Sequence, residues 1–137
     1  MSSKHLKIYT AARFSDRARL RAARDRMFQM GHECTASWLD EVAKPETMTI
    51  EVFNKKLAIK DFTEISAADI IVVDTLEPLI TVAETSSGGG REVELGFALG
   101  QWHRKEVWRV GPARNVFHQL VDRAFADWDE CLEALDG

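Results

Sequence analysis

The sequence predicts a single α/β domain with three layers, Rossmann-like or flavodoxin-like, built on a mainly parallel sheet of five strands. Short apolar strand candidates alternate with helix-like stretches along the whole chain, and one candidate is a continuous β-branched run. No repeat or low-complexity tract interrupts this pattern. A chain of 137 residues is long enough to bury one such core without disulfides or a structural metal. In sheets of this kind, ligands bind beyond the carboxyl ends of the strands.

The first half of the chain predicts two strands and two helices. A short buried strand at Leu6–Thr10 precedes a helix over 16–30, which Gly31 is expected to stop. A second strand is expected at Cys34–Trp38, followed by a second helix that runs toward Ala67. The expected inward positions of this helix include Val52, Leu57, Phe62 and Ile65.

The second half opens on the expected central strand, because 69–74 is a β-branched run bounded by two acids. A loop over 75–89 follows, and loops of this length in compact domains are usually functional or mobile. The later elements are a helix over 91–104, a strand over 106–110, a helical turn over 116–120, a strand over 124–127 and a helix over 128–135. The site is therefore expected where the first, second, third and fourth strands end.

Composition excludes several classes of function. The net charge of −4 argues against nucleic-acid polymers, although arginines crowd 13–26. The two cysteines and four histidines match no metal or redox spacing, so no metal, cofactor or disulfide is expected. No apolar run approaches the roughly 20 residues that span a bilayer. The polar start of the chain lacks the apolar stretch of a secretory signal, so a cytoplasmic location is expected.

A glycine-rich turn and the glutamate after it are the features that carry chemistry. The run that ends with Ser86, Ser87, Gly88 and Gly90 opens a helix, which is typical of a phosphate cradle, although a plain surface turn is the alternative. Glu94 is expected in the first turn of that helix, half-buried among apolar neighbours. The positive end of the helix dipole would then keep it ionised as a nucleophile, the alternative being a carboxylate that only caps its helix. Glu92 is expected to face solvent.

The pattern G-x-x-x-E-x-G over 90–96, after the acid-bounded strand, resembles the nucleoside 2-deoxyribosyltransferase family, which includes the nucleoside 5′-monophosphate N-glycosidases. The resemblance covers nearly the whole chain and begins at 7–14. It implies a Rossmann-like fold, an N-glycosidic activity on a small nucleoside or nucleotide, and a homodimer or larger homo-oligomer. It gives Glu94 the role of nucleophile, Asp61 a proton-handling role and Tyr9 a place in the base pocket. Asn115 resembles an asparagine that reaches a neighbouring subunit's site.

The expected substrate contacts include further residues near these. Arg13 and Phe14 follow the first strand, and Trp38 closes the second, where it is expected either to stack on a base or to fill the core. Family members usually place an acid six residues before the nucleophile, where this chain has Gly88. Ser86, Ser87 and Arg13 suit a 5′-phosphate at least as well as a free hydroxyl, and the surface-arginine alternative for Arg13 stays open.

By analogy with retaining glycosidases, Glu94 is expected to attack C1′ while Asp61, or an acid near it such as Asp74, protonates the departing base. A second base then reclaims the sugar in a transferase, and water does so in a hydrolase. The sequence thus predicts a deoxyribosyltransferase-like enzyme, with a monophosphate N-glycosidase as the alternative. A nucleotide-sensing module of the same fold, without a covalent step, is the third hypothesis.

Overall fold

A computed structural model describes residues 5–41, 43–76, 89–101 and 105–136. Five strands form one sheet in the order β2-β1-β3-β4-β5, and every neighbouring pair is parallel. The strands are β1 (Lys7–Ala11), β2 (Glu33–Cys34), β3 (Ile70–Asp74), β4 (Glu106–Val110) and β5 (Arg123–Phe125). The fold-class prediction is confirmed, and β3 is the central strand as expected, buried along its whole length. Strand order reverses between β1 and β3, which makes their carboxyl ends the switch point of the sheet.

Four α-helices cover the sheet in two pairs. They are α1 (Arg17–Gln29), α2 (Ile50–Ala67), α3 (Gly90–Leu99) and α4 (Trp128–Asp136). Helices α1 and α4 pack against each other, as do α2 and α3 on the other face. The second pair is joined by the rings of Phe62 and Phe97, stacked with centroids 4.1 Å apart. No helix in the described ranges has both the length and the apolar character needed to span a membrane.

Strand β1 is buried from its second residue onward, so its alternating side chains serve both layers of helices. Ile8 pairs with Ile70 and Tyr9 with Ile71 in the parallel register. The Tyr9 side chain is fully buried and reaches α3, as described below. Register therefore decides which layer each β1 side chain meets.

The structure corrects several predicted elements. Strand β2 has only two residues, and Ser37–Asp40 forms a 3-10 helix instead of a strand end. Trp38 lies in this turn because its indole nitrogen donates to the Thr10 carbonyl, 2.8 Å away. Of the predicted inward positions of α2, Ile65 is buried but Val52 is 47% exposed, since the first turns of the helix run beyond the core. Helix α3 ends at Leu99, earlier than expected, with Gly100 as its C-cap, and residues 102–104 lie outside the described ranges.

The arginines of α1 form ion pairs with other elements. The Arg19 guanidinium lies 2.8 Å from Asp74 of β3, Arg24 lies 2.6 Å from Asp40, and Arg26 pairs with Asp129 of α4. The pair of Arg19 with the buried Asp74 ties α1 to the sheet, whereas the pairs of Arg24 and Arg26 lie at the surface.

Candidate active site

Tyr9 of β1 and Glu94 of α3 are in direct contact. The phenol hydroxyl of Tyr9 donates to Glu94 Oε2 at 2.5 Å, and the tyrosine side chain is fully buried. Helix α3 begins at Gly90, after Gly89 in the left-handed conformation at φ 72°. Glu94 is therefore the fifth residue of the helix, one residue later than predicted and just past the first turn, which Glu92 occupies.

Asp61 of α2 approaches the same glutamate. The carboxyl groups of Asp61 and Glu94 lie close enough for each to act on the pKa of the other. Among the described residues, Asp61 Oδ1 is buried without a hydrogen-bond partner. The two predicted catalytic carboxyl groups are thus brought together, with one oxygen still lacking a partner.

Burial controls the protonation of this carboxyl pair. Desolvation, followed by the nearby Asp61 and Glu64 charges, raises the pKa of Glu94 to about 8, although the hydrogen bond from Tyr9 opposes that rise. Desolvation and the charges of Glu64 and Glu41 raise the pKa of Asp61 to about 6. Burial beside Glu94 also raises the pKa of Tyr9 well above its ordinary value. This burial favours the protonated form of Glu94 at neutral pH, against the expectation that the helix dipole holds it ionised.

Glu64 lies about one turn after Asp61 on α2, and it was not among the site residues predicted from the sequence. Its Oε1 accepts from the Ser37 backbone N–H at 3.0 Å, and its Oε2 accepts from the Ser37 hydroxyl. The spacing of three residues from Asp61 was a usable signal, since it places both acids on one helix face. Nothing in the sequence indicated the contact with Ser37.

Phe14 and Trp38 lie together beyond the end of β1. Their ring centroids are 6.3 Å apart, Phe14 is 49% exposed, and the Arg17 guanidinium lies 4.0 Å from the Phe14 ring centroid. Trp38 is buried and its indole nitrogen is already hydrogen-bonded. Trp38 therefore packs as core, whereas Phe14 keeps an exposed ring.

Arg13 lies directly after β1 and is mostly buried. Its Nε donates to Asp16 Oδ2 at 3.0 Å, so the side chain is held against the start of α1 instead of extending into solvent. Gly90, the first residue of α3, is exposed. Ser86, Ser87 and Gly88, the predicted phosphate-binding residues, lie outside the described ranges.

Asp74 does not fit the substrate-binding role predicted for it. The carboxyl group is fully buried and accepts hydrogen bonds from two nitrogens of Arg19, from the Trp128 indole and from the Leu76 backbone, at 2.7 to 2.9 Å. Four donors occupy its two oxygens, and they come from α1, α4 and the chain after β3. Asp74 therefore joins the sheet to the first pair of helices and does not present a proton to a ligand.

Glu92 and Asn115 belong to a second cluster. Glu92 Oε1 accepts from Asn115 Nδ2 at 2.9 Å and from His118 Nε2 at 2.8 Å, while His118 Nδ1 accepts from the Arg114 backbone. Hydrogen bonds from Asn115, Arg91 and His118 lower the pKa of Glu92 against the effect of burial. The expectation that Glu92 faces solvent is wrong. Asn115 Oδ1 also caps the 3-10 helix Val116–Leu120, and its reach to a neighbouring subunit stays a prediction.

In the described part of the chain, no three histidine, cysteine or acidic side chains are grouped so that they could hold a metal ion. The acids of the site are instead joined to one another, to Tyr9 and to Ser37. This arrangement suits proton transfer and nucleophilic attack by a carboxylate.

No protein-family model matches the chain, and no curated protein is similar in sequence. Solved structures are similar in fold. A 2-deoxyribosyltransferase from Bacillus psychrosaccharolyticus has a TM-score of 0.67 at 22% identity, over 94% of this chain and 95% of that one. A CMP N-glycosidase from Clostridium botulinum, BcmB, has a TM-score of 0.53 at 14% identity, over 95% and 98%.

The same fold also occurs in a response regulator receiver domain protein from Bacillus halodurans. Its TM-score is 0.53 at 11% identity, over 97% of this chain and 96% of that one. Because a signalling domain and two enzymes share this architecture, the fold alone does not decide the function. The function has to be argued from the site.

Proposed function

We propose that this chain is an enzyme that cleaves or exchanges the N-glycosidic bond of nucleosides or nucleotides through a covalent intermediate on Glu94. The observation that carries the proposal is the half-buried Asp61–Glu94 carboxyl pair, with Tyr9 donating to Glu94, beside the switch point of the sheet. The likeness in fold to a 2-deoxyribosyltransferase and to a CMP N-glycosidase supports the same proposal.

The proposed reaction has two steps. In the first, a Glu94 oxygen forms a bond to C1′, the bond from C1′ to the base nitrogen breaks, and Asp61 gives its proton to the departing base. In the second, a new base or a water molecule attacks C1′, the ester bond to Glu94 breaks, and Asp61 takes the proton from the incoming group. Each turnover thus restores the original pair.

The active form of the pair holds one proton. Because the two carboxyl groups are coupled, their pKa values of about 6 and about 8 belong to the pair as a whole. Below about 6 both groups are protonated and no nucleophile remains, whereas above about 8 both are ionised and no acid remains. The hydrogen bond from Tyr9 stabilises the microstate that the reaction needs, with Glu94 ionised and the proton on Asp61. Activity is therefore expected to peak near pH 7.

A nucleoside 5′-monophosphate is the second candidate substrate, and two arginines favour it. Arg91 at the start of α3 donates to the Asp74 carbonyl at 3.3 Å, and Arg114 after β4 donates to the Thr75 carbonyl at 2.9 Å. Both guanidinium groups therefore lie where β3 ends. Arg13 after β1 adds a third one at the same edge of the sheet. Guanidinium groups are suited to bind phosphate oxygens.

Substrate trials separate these candidates. Deoxynucleosides, ribonucleosides and their 5′-monophosphates are each incubated with and without a second base, and free base and new nucleoside are measured by chromatography. Exchange that requires a second base supports a transferase. Release of base without an acceptor, from monophosphates alone, supports a monophosphate N-glycosidase.

The variant Glu94→Gln tests for a covalent step. We expect turnover to fall by at least about 10³-fold while nucleotide affinity stays within a few-fold, because the amide keeps the size and loses the nucleophile. Glu51→Gln, the same change at an exposed position of α2, is the matched control and should behave as the wild type. Unchanged turnover in Glu94→Gln would refute the mechanism. Binding without turnover in the wild type would favour the sensing module instead.

We further propose that the active form is a homodimer or larger homo-oligomer. Large apolar side chains are exposed on α3 and on the 3-10 helix after Asn115, namely Val93, Val116, Phe117 and Leu120, and Val93 and Phe117 line one surface cavity. Exposed apolar clusters are typical of protein interfaces. Light scattering of the wild type and of a Phe117→Asp variant tests this, since the variant is expected to shift the mass toward the monomer. A monomeric wild type would contradict it.

A further inference from the structure

Glu64 is held in place by a neighbouring element. Both of its oxygens act as acceptors, one from the backbone of Ser37 and one from the hydroxyl, as the two oxygens of a carboxylate do. The Thr35 hydroxyl also donates to the Glu64 carbonyl at 3.3 Å. The segment that connects β2 to the 3-10 helix at 37–40 thus fixes this negative charge on α2. A simple surface glutamate would not be anchored from a second element.

The fixed charge lies about one helical turn from Asp61 of the proposed catalytic pair. Glu64 follows Asp61 by three residues on α2, and its electrostatic effect reaches Asp61, Glu94 and Tyr9. The other titratable groups that act on Asp61 include Glu41 before α2 and Lys60 on α2. The cavity that Glu64 lines also has in its wall the Cys34 thiol and the charged side chains of Lys7, Arg24, Glu33 and Asp40. Lys60 is the cation that opposes the acids at Asp61. Glu64 differs from Glu41 and Lys60 because its charge affects the pKa values of all three site residues, Tyr9, Asp61 and Glu94.

We propose that Glu64, clamped by Ser37, is a positioning residue whose fixed negative charge keeps one proton on the Asp61–Glu94 pair. Without that charge, the pair would release its last proton at a lower pH. At mildly alkaline pH, neither carboxyl group would then hold a proton to donate to the departing base. The inference rests on the proposed function for its catalytic meaning. The proton count of the pair, however, is a property of the free protein and is measurable without turnover.

The variant Glu64→Gln removes the charge and preserves the clamp. A glutamine oxygen accepts from the Ser37 N–H, and its amide nitrogen donates to the hydroxyl, which turns to accept. We expect both limbs of the pH profile of kcat/KM to move toward lower pH by about one unit, the size of shift that one nearby charge produces. At pH 8.5 this lowers kcat/KM by about tenfold, while the maximum of the shifted profile stays within about twofold of the wild type.

Glu51→Gln is the matched control, because it makes the same change on the same helix about 20 Å from Glu64 along the helix axis. It should leave both limbs in place. Ser37→Ala keeps the Glu64 charge but removes one anchor, so we expect a smaller shift in the same direction. In the double variant, Ser37→Ala should add no further shift to that of Glu64→Gln, since both act through one group.

Carbon-13 NMR titration of the Asp61 and Glu94 carboxyl groups in free protein gives the second readout. Downward movement of both apparent pKa values in Glu64→Gln, with no change in Glu51→Gln, supports the inference even if no glycosidic substrate is found. If a folded Glu64→Gln protein keeps the wild-type titration curves, the inference is overturned whatever the activity. If Glu64→Gln does not fold, Ser37→Ala decides by the same titration, and unmoved curves in that variant overturn it.

Discussion

Replacing Tyr9 by phenylalanine removes a single hydroxyl from the proposed site and leaves a ring that still fills the core. The Tyr9 hydroxyl donates to Glu94 Oε2 at 2.5 Å and favours the ionised form of Glu94. A hydrogen bond to a charged group is worth about 1.5–3 kcal/mol, and 1.36 kcal/mol corresponds to one pKa unit. The pKa of Glu94 should therefore rise by about 1–2 units in Tyr9→Phe. Less of the pair is then in the productive microstate at neutral pH.

The assay is the pH profile of kcat/KM for the substrate that the trials identify. We expect kcat/KM at pH 7 to fall by about 10- to 100-fold in Tyr9→Phe, because each pKa unit corresponds to a factor of ten. The alkaline limb, which follows the higher pKa of the pair, should move toward higher pH, and thermal unfolding should show that the variant is folded. A fall in rate that is equal at every pH, with both limbs unmoved, would refute this reasoning, since Tyr9 would then act on something other than the protonation of Glu94.

Three further predictions concern stability. Folding raises the pKa of Glu94, so the native state binds more protons than the unfolded state, and the free energy of unfolding should fall as pH rises from about 4.5 to about 8. Glu94→Gln removes this titrating group. The variant should therefore melt at least about 2 °C above the wild type at pH 8.5 but not at pH 4. Asp74→Asn should lower the free energy of unfolding by about 3–5 kcal/mol in chemical denaturation, because it breaks a buried pair with Arg19, while kcat per folded molecule stays within twofold. Gly111→Ala should cost about 2 kcal/mol or more in the same assay, because φ is 112° and the new Cβ would lie 2.5 Å from the Thr75 hydroxyl oxygen. The first prediction fails if Glu94→Gln and the wild type melt at the same temperature at pH 8.5 as well as at pH 4. The second fails if folded Asp74→Asn loses kcat, and the third fails if Gly111→Ala leaves the free energy of unfolding unchanged.

The sequence predicted those elements whose pattern lies within a few consecutive residues, such as continuous apolar strands and the glycine that ends a helix. The β-branched run over 69–74 and the apolar stretch at 106–110 became β3 and β4, because continuous burial on both faces leaves a pattern that any window of sequence records. Gly31 ends α1 with φ 88°, as expected of a glycine after a helix. Trp38 was misplaced because its indole binds a carbonyl of β1, a contact between residues 28 apart that no local pattern encodes.

The site was predicted in part for the same reason. Glu94 and Asp61 were identified through a motif and a resemblance, and the structure brings them into contact. The raised pKa of Glu94 was not expected, because the helix dipole is a local effect whereas burial depends on the whole fold. Asp74 was assigned to the ligand because it ends a strand at the switch point. The four donors to its carboxylate come from three separate parts of the fold, and no local sequence pattern predicts that both oxygens are fully hydrogen-bonded.

The pairing register of β1 decides on which face of the sheet the Tyr9 side chain lies, and the proposed site depends on that more than the hydrophobic core does. Every side chain of this strand after the first is buried, and its neighbours on either face are mainly apolar. A slip of one residue would exchange the two faces while leaving the overall hydrophobicity of the sheet nearly unchanged. The phenol ring would then point into the α1 layer, far from its glutamate. A change that shifts this pairing in a protein that still folds would remove the contact between Tyr9 and Glu94, so an intact melting curve would not show that the proposed site is assembled.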